Sequence, residues 1–361
     1  MDSYVITEGV NSKSNSYICS AKRNQHSSVD LHVPPGEKFY RLLWGELERA
    51  GCFRPAPWFT LANAVLVVTM YSVGFTVLLL TSGMGVRILA LLLLAFANVQ
   101  AGFIAHEAGH GAITRNRRLA SAYGHFLFTF LTGLCYSHFQ SIHRLHHPHC
   151  NEEAVDPDMQ SGAFSLYENS APRKTGLGKL ITRYQAYLIW VLVSLQGFTL
   201  KIDGISFVCR NPKHTSADQV AFALHIALWF GLPPLILGLG DALINYGLMT
   251  WFIGPYLGAV FLVNHIGTRV IHPSERISFF HKQIATTRNL GTSRMHDFLF
   301  GGVNNHIEHH LYPSIPTARL RTARPITRAF CKRHGIPYRE MGWPAAAREV
   351  FGHFKEMSKF A

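Results

Sequence analysis

Four stretches of this 361-residue chain carry no Asp, Glu, Lys or Arg: between Arg54 and Arg87, from Ile88 to Ala105, from Gln219 to Gly240, and from Ala242 to Thr268. Each reaches the roughly 18 to 22 residues needed to cross a hydrocarbon core about 30 Å thick at about 1.5 Å rise per residue. A helix satisfies its own backbone N–H and C=O groups, so it is the form such a run takes in lipid. The pattern predicts an all-α integral membrane protein with four transmembrane helices, at about 58–82, 87–106, 219–240 and 242–265. Composition agrees: 48% of residues are hydrophobic and only 15% charged, which is apolar for a soluble enzyme. The rival, four buried helices of a large soluble protein, would need four long charge-free runs in one core, which is unusual.

The cations orient these spans. The short turns TSGMGVR and LGLGD, after the first and third helices, hold one of the 34 Lys and Arg residues, Arg87. The remainder fall on the N-terminal segment 1–57, the central loop 107–218 and the C-terminal region 266–361, which the positive-inside rule places in the cytoplasm. Residues 58–361 then form a single domain, and both termini are cytoplasmic. The net charge of +13 reports this topology and argues against nucleic-acid binding. Residues 1–30, rich in Ser, Asn and Lys, read as loosely ordered. The start MDSYVITEGV lacks the basic and apolar regions of a cleavable signal peptide. The six cysteines make no CxxC pair and read as reduced, structural thiols.

Of 21 histidines, eight lie in three clusters: HEAGH (His106, His110), HRLHH (His143, His146, His147) and HIEHH (His306, His309, His310). Residues three and four apart share one face of a helix, so each string aims two or three imidazoles in one direction. Neutral imidazole suits iron, zinc, copper or nickel, and eight ligands exceed the four of a structural zinc, which suggests two metal ions. HEAGH also matches the zinc-protease string H-E-x-x-H, with Glu107 as base; that reading explains neither of the other clusters. A metal transporter would want its ligands near the membrane midplane, whereas these sit at the cytoplasmic boundary.

The clusters can meet only if an even number of crossings separates HRLHH from HIEHH. Helices three and four supply two. The apolar segments Leu119–His138 and Tyr184–Leu200 are therefore expected to be interfacial or re-entrant helices. His265 ends the fourth helix at the level where His106 leaves the second, and becomes a ninth candidate ligand. Asn264 beside it is a candidate contact through water. Glu107, Glu308, Asp156 and Asp158 are candidate hydrogen-bond acceptors for the outer N–H of a ligating histidine. Pro148 is expected to break the helix of the second cluster and leave His149 outside it. His138, His272, His281 and His296 are also left out, and His125 and His225 read as membrane-embedded polar side chains.

HEAGH, HRLHH and HIEHH, in this order and with two spans between the second and third, resemble the three histidine boxes of the membrane fatty acid desaturases. The resemblance runs from about residue 40 to the C-terminus. NEEAVDPD after the second box, and GGVNNHIEHHLYPSIP followed by RPITRAFCKRHGIPY, are similar to bacterial acyl desaturases and front-end desaturases. The resemblance implies a non-haem di-iron centre with two Fe²⁺ ions, O₂ as co-substrate, and lipid metabolism in a bacterial cell membrane. It implies a fatty acyl substrate, carried as acyl-CoA, on acyl carrier protein or as phospholipid. The wider superfamily shares the boxes, so a fatty acyl or lipid hydroxylase or ketolase is the alternative. Front-end members typically open the third box with glutamine where this chain has His306, which argues for a different position of attack. Many members carry a fused cytochrome b5 domain marked by HPGG; no such string occurs here, so the expected electron donor is a separate ferredoxin, or cytochrome b5 with its reductase.

The chemistry fits. An unactivated methylene has no useful acidity, so its hydrogen is beyond any general base and an oxidant made from O₂ is required. Helices two and four, with Phe126, Phe128, Phe130 and Tyr187, are expected to line a channel for the chain. Arg115, Arg117, Arg118 and Arg144 are candidates either for the phosphates of an acyl carrier or for stop-transfer charges.

Overall fold

A computed structural model describes residues 35–160, 162 and 164–361. Cys19 and the expectations for residues 1–30 lie outside these. Fifteen α-helices make up the described residues, with short π and 3₁₀ turns and no strand among them: α1 Pro35–Arg49, α2 Pro57–Leu80, α3 Met84–Gly109, α4 Arg117–Gly124, α5 Tyr136–His149, α6 Gly176–Ser194, α7 Gln196–Arg210, α8 Ser216–Phe230, α9 Leu232–Leu237, α10 Leu239–His265, α11 Phe279–Thr286, α12 Arg294–Leu299, α13 His306–Leu311, α14 Thr317–Arg333 and α15 Trp343–Met357.

Four helical segments are long and apolar enough to cross a membrane: α2, α3, α8 continued by α9, and α10. Pro57 opens α2 at a position whose N–H needs no helical partner. α3 packs against both α2 and α10 and is the most enclosed of the four. Its neighbours approach closely where the side chains are small. A Cβ on Gly74 of α2 would lie 3.3 Å from the Ala90 carbonyl oxygen of α3. Gly254 and Gly258 of α10, one turn apart, seat α6: a Cβ on Gly254 would fall 2.0 Å from the Val193 carbonyl oxygen. Small residues at this spacing let backbones touch where no hydrophobic force drives helices together in lipid. At the turns between paired spans, Arg87 donates to Asp241 at 2.8 Å, joining the starts of α3 and α10.

The two ambiguous apolar segments are irregular. The first becomes α4, a π-helical stretch His125–Leu131, and the start of α5. The second is divided between α6 and α7, which bend by 61° at their junction. α5 continues through Pro148 to His149, so the expected break falls one residue after the proline instead of at it.

The remaining helices make a cap. Leu43 and Leu47 of α1 enter one buried apolar cluster with Phe280, Ile307, Leu311, Tyr312, Leu320 and Phe330. The N-terminal segment reads from the sequence as separate from residues 58–361; its described helix α1 packs against α11 and α14. Two fully or nearly buried arginines tie the cap together: Arg288 pairs with Glu349 and donates to the Ile266 carbonyl, and Arg324 bonds Glu340 and the carbonyls of Leu290 and Asn304.

Candidate metal centre

The nine predicted histidines converge from four helices. His106 lies in the last turn of α3 and His110 caps it; α5 contributes three, α10 ends on His265, and α13 contributes three. They fall into two neighbouring groups, with the rings of His147 and His310 stacked 4.3 Å apart between them.

In the first group, ring nitrogens of His106, His110, His143, His147 and His309 all lie within 4.8 Å of one another. Nε2 of His143 is 2.9 Å from that of His106, 3.0 Å from that of His110 and 3.0 Å from that of His147. Nitrogens that share a metal at about 2.0–2.1 Å lie about this far apart. Nε2 of His309 is buried with no hydrogen-bond partner.

The second group is His146, His265 and His310 with Cys150, joined by His306, whose Nε2 is 2.6 Å from Nε2 of His265. Here each imidazole is held from behind. Nδ1 of His146 meets Asp156 at 3.0 Å, that of His265 the Thr286 carbonyl at 3.2 Å, that of His306 the Val303 carbonyl at 3.1 Å, and that of His310 Oε1 of Gln283 at 2.9 Å. Carbonyl oxygens and carboxylates only accept, so in all four rings Nδ1 carries a proton, and in the neutral, metal-binding ring Nε2 carries the lone pair. Two lone pairs facing at 2.6 Å repel unless a cation sits among them, and Nε2 of His310 is buried without a partner. The residues therefore fit a pair of metal ions.

Electrostatics agree. Burial pulls the imidazoles of His110, His143, His147, His306, His309 and His310 well below their usual range, and their mutual repulsion adds to it; neutral rings are the metal-binding form. His146 is the exception. Burial pulls it down, but Asp158 and Asp156 push it up to about 9, so this ring would release a proton on taking up a metal ion.

Of the four carboxylates expected to meet these histidines from outside, two lie against one ring, that of His146. Asp156, fully buried, accepts from His146 and from the N–H groups of Asn151 and Asp158, and Asp158 lies 3.3 Å from the same ring. Glu107 and Glu308 are held elsewhere, and Asn264, expected to reach the metal through a water, keeps a buried Oδ1 without a partner. Glu107 accepts from the Thr317 N–H at 3.0 Å. Glu308 is held by Asn289 at 2.8 Å and Tyr338 at 2.7 Å; burial still leaves its carboxyl above the usual range, with these bonds opposing the push. Asn264 donates to the Val260 and Val303 carbonyls. These bonds hold backbone: Asn289 also accepts from the Ile307 N–H, so the Glu308–Asn289–Tyr338 cluster fixes the short helix that presents the third box.

Sequence reasoning missed Gln283, which binds His310 through its oxygen and the His147 carbonyl through its nitrogen, and Asn289; an amide outside any motif carries no signal. It also missed the turn that aims the third box, where Gly301 and Gly302 adopt φ of +55° and +82°, open to glycine at little cost. The excluded histidines pair elsewhere: His149 with Glu152, His281 with Ser278, His296 with Ser293, and His225 with the Phe130 carbonyl and Tyr246.

A cleft of about 360 Å³ opens between α2, α3, α12 and α14. It shares Glu107, Gly301 and Thr317 with a small hollow lined by His106, His110 and His309. Of the segments expected to line an acyl channel, α3 lines this cleft; α10, Phe126, Phe128, Phe130 and Tyr187 do not, and the arginines at it are Arg294 and Arg321.

Comparison with known proteins adds the family. Residues 82–342, more than half the chain, match the sequence model described as fatty acid desaturase. Delta(8)-fatty-acid desaturase 2 of Arabidopsis thaliana is 24% identical over 336 residues, covering 89% of this chain and 74% of the relative. Delta(8)-fatty-acid desaturase 1 of the same plant is 27% identical, covering 87% and 73%. A Delta 8-(E)-sphingolipid desaturase of Emericella nidulans is 26% identical over 290 residues, covering 71% of this chain and 51% of that one. With four helices able to span a membrane and its histidines gathered into two groups, the chain belongs to the fatty acid desaturase family and is a membrane desaturase, an oxidoreductase acting on a fatty acyl or lipid substrate.

Proposed function

We propose that the nine histidines hold two iron ions, His106, His110, His143, His147 and His309 around one and His146, His265, His306 and His310 around the other, and that the protein introduces a double bond into an acyl chain with O₂ as co-substrate. The observation that carries this reading is the second group: four imidazoles whose outer N–H groups are all engaged and whose Nε2 lone pairs all face inward. Such a donor set of neutral nitrogens suits ferrous iron. When bound, the iron pair supplies the O₂-derived oxidising power needed to take two hydrogens from adjacent methylenes.

The chain's own residues do the rest. Asp156, Gln283 and the carbonyls of Thr286 and Val303 fix the ring orientations, so that the donor set exists before metal arrives. The apolar cap of α1, α11, α13 and α14 excludes water from behind the third box. The small hollow beside His106, His110 and His309 is where a methylene can approach, and it is reached from the cleft past Glu107. Because the second and third boxes meet, an even number of crossings separates them; the bent pair α6–α7 then returns to the face it entered, and both termini share the cytoplasmic side.

The test is expression in a host of known lipid composition, with mass spectrometry of total fatty acids and metal analysis of the purified protein. New alkenes and about two irons per chain are expected. Hydroxylated or keto products without alkenes would refute desaturation, and zinc in place of iron would refute the metal.

A further inference from the structure

The three boxes are carried differently. The first ends α3, the most enclosed span, and the third sits on α13, which the Glu308–Asn289–Tyr338 cluster fixes. The second lies on α5, whose hairpin with α4 and the π-helical stretch His125–Leu131 belongs to none of the four spanning segments. Its near end needs an anchor of its own. The first turn of a helix leaves N–H groups without partners inside the helix, and here they are shut away from water. Cys135 and Tyr136 are buried; a Cβ on Gly124 would fall 2.1 Å from the Tyr136 ring, and one on Gly204 of α7 2.8 Å from Cβ of Cys135. A helix is ordinarily capped by an adjoining Ser, Thr, Asp or Asn. In α5 that place is held by Cys135, whose thiol takes only the His138 N–H.

The missing acceptor comes from 82 residues along the chain. Asp218, fully buried in the first turn of α8, accepts the Tyr136 N–H on Oδ1 at 3.0 Å and the Ser137 N–H at 3.4 Å. The same oxygen accepts from Oγ1 of Thr129 at 2.8 Å. Oδ2 accepts from the Ser137 hydroxyl and lies 3.4 Å from Nε2 of His125. One carboxylate joins a spanning helix, the π-helical stretch and α5, and its charge suits the positive end of a helix dipole. Seven residues further along the same face of α8, Nδ1 of His225 donates to the Phe130 carbonyl at 2.8 Å, and Lys201 of α7 donates to the Thr132 carbonyl. Those two hold the tip of the hairpin. Of the three, Asp218 alone bonds α5 itself. His143 stands seven residues and His147 eleven residues beyond Tyr136, about 10 and 16 Å along the axis. A tilt of about 4° at the first turn carries the farther ring about 1 Å, more than the about 0.5 Å that a metal site tolerates.

We propose that Asp218 is a positioning residue of the metal centre: it sets the angle of α5, and with it the placement of His143 and His147 in one group and of His146 in the other. The proposal rests on the metal-centre reading for what these rings bind, and on the bonds of Asp218 for how they are placed.

Cobalt(II), added to the metal-free full-length protein, reads ring placement without turnover, because its visible ligand-field bands report the number and angles of the nitrogens around it. Asp218→Leu should weaken cobalt binding in both groups by about tenfold and change the bands. Asp218→Ser, too short to reach α5 but able to bond within its own helix, should do the same and takes its place if the leucine variant does not fold. Asp218→Asn keeps an oxygen for the Tyr136 and Thr129 donors, so it should restore most of the binding and the wild-type bands. Lys201→Met loosens the tip of the hairpin alone and should lower thermal stability with the bands unchanged. An anchor that serves only stability predicts the same for Asp218→Leu and Asp218→Ser, and unchanged bands in both overturn the proposal. It is also overturned if Lys201→Met alters the bands as Asp218→Leu does, or if Asp218→Asn binds no better than Asp218→Leu. Hydrogen exchange of the metal-free protein reads the anchor without metal: amides of α5 should exchange faster in Asp218→Ser while those of α13 keep their protection, and unchanged exchange in α5 overturns the proposal. A wild type that takes up no cobalt, with α5 responding as stated, would sink the metal-centre reading and support the anchor.

Discussion

The two groups of histidines are built to different standards. In the group of His146, His265, His306 and His310 every ring is held at Nδ1 by an acceptor on a neighbouring element. In the group of His106, His110, His143, His147 and His309 no ring has a hydrogen bond at Nδ1 among the described residues, and Nδ1 of His147 is buried without a partner. The looser group is also the one that lines the hollow leading to the cleft. Preorganisation thus sits on the side away from the cleft, and freedom to adjust sits on the side that faces it. A rigid donor set fixes where one metal lies; rings without outer anchors can shift as ligands come and go.

The largest effect should come from removing a ring in either group. His146→Ala and His309→Ala should each abolish product formation, and metal analysis should show about one iron lost per chain; retained activity in either would break the assignment. His265→Ala tests the rigid group at its least obvious member, and full iron occupancy with normal turnover would remove His265 from it. The comparison itself is sharpened by leaving the rings and removing what holds them. Asp156→Asn keeps the size but weakens the grip on His146, and should cost about 10- to 100-fold in iron affinity at one site only. Gln283→Leu frees His310 and should fall at the low end of that range. Two equal losses of affinity after Asp156→Asn would show that the groups do not differ as described.

How much of this was legible in the sequence follows from what each feature costs. A charge in lipid is expensive, so the spans announced themselves as uncharged runs. Ligands on one helix face must recur at three and four residues, so the boxes were legible, and parity of crossings brought His265 to them. What holds the rings was only partly legible. Asp156 stands ten residues from His146 in a run that looks like a loop, and a carboxylate was a reasonable guess. Glu107 and Glu308 looked as good from their position inside the boxes, but they point away from the rings, because residues adjacent to a ligand on a helix face about 100° away from it. Gln283 and Asn289 were invisible, since buried amides are chosen by local geometry and no spacing marks them. The cleft was not legible for a related reason: aromatic residues are common in any apolar helix, and the face of Gln100, Phe103, Ile104 and Glu107, half polar and half apolar, lies towards the end of a span.

The smallest effect expected concerns Cys150, whose Sγ is grouped by distance with His146, His265 and His310. If it were a ligand, the rigid group would contain a soft anion and the two groups would differ in chemistry as well as in stiffness. Its position argues otherwise. Sγ lies 3.4 Å from Nδ1 of His265, the outer nitrogen, and 3.9 Å from the Thr286 carbonyl, so it sits behind the ring with the other anchors. Burial pushes its thiol well above the usual range, whereas a ligand must be thiolate. Cys150→Ala should therefore leave iron content and turnover within about twofold of the wild type, with a stability loss of about 1 kcal/mol for a small buried side chain. Spectroscopy reads the same question without mutation: the oxidised protein should lack the sulfur-to-iron charge-transfer absorption that a thiolate ligand gives. Loss of one iron in Cys150→Ala, or that absorption in the wild type, would turn a difference in how the rings are held into a difference in what holds the metal.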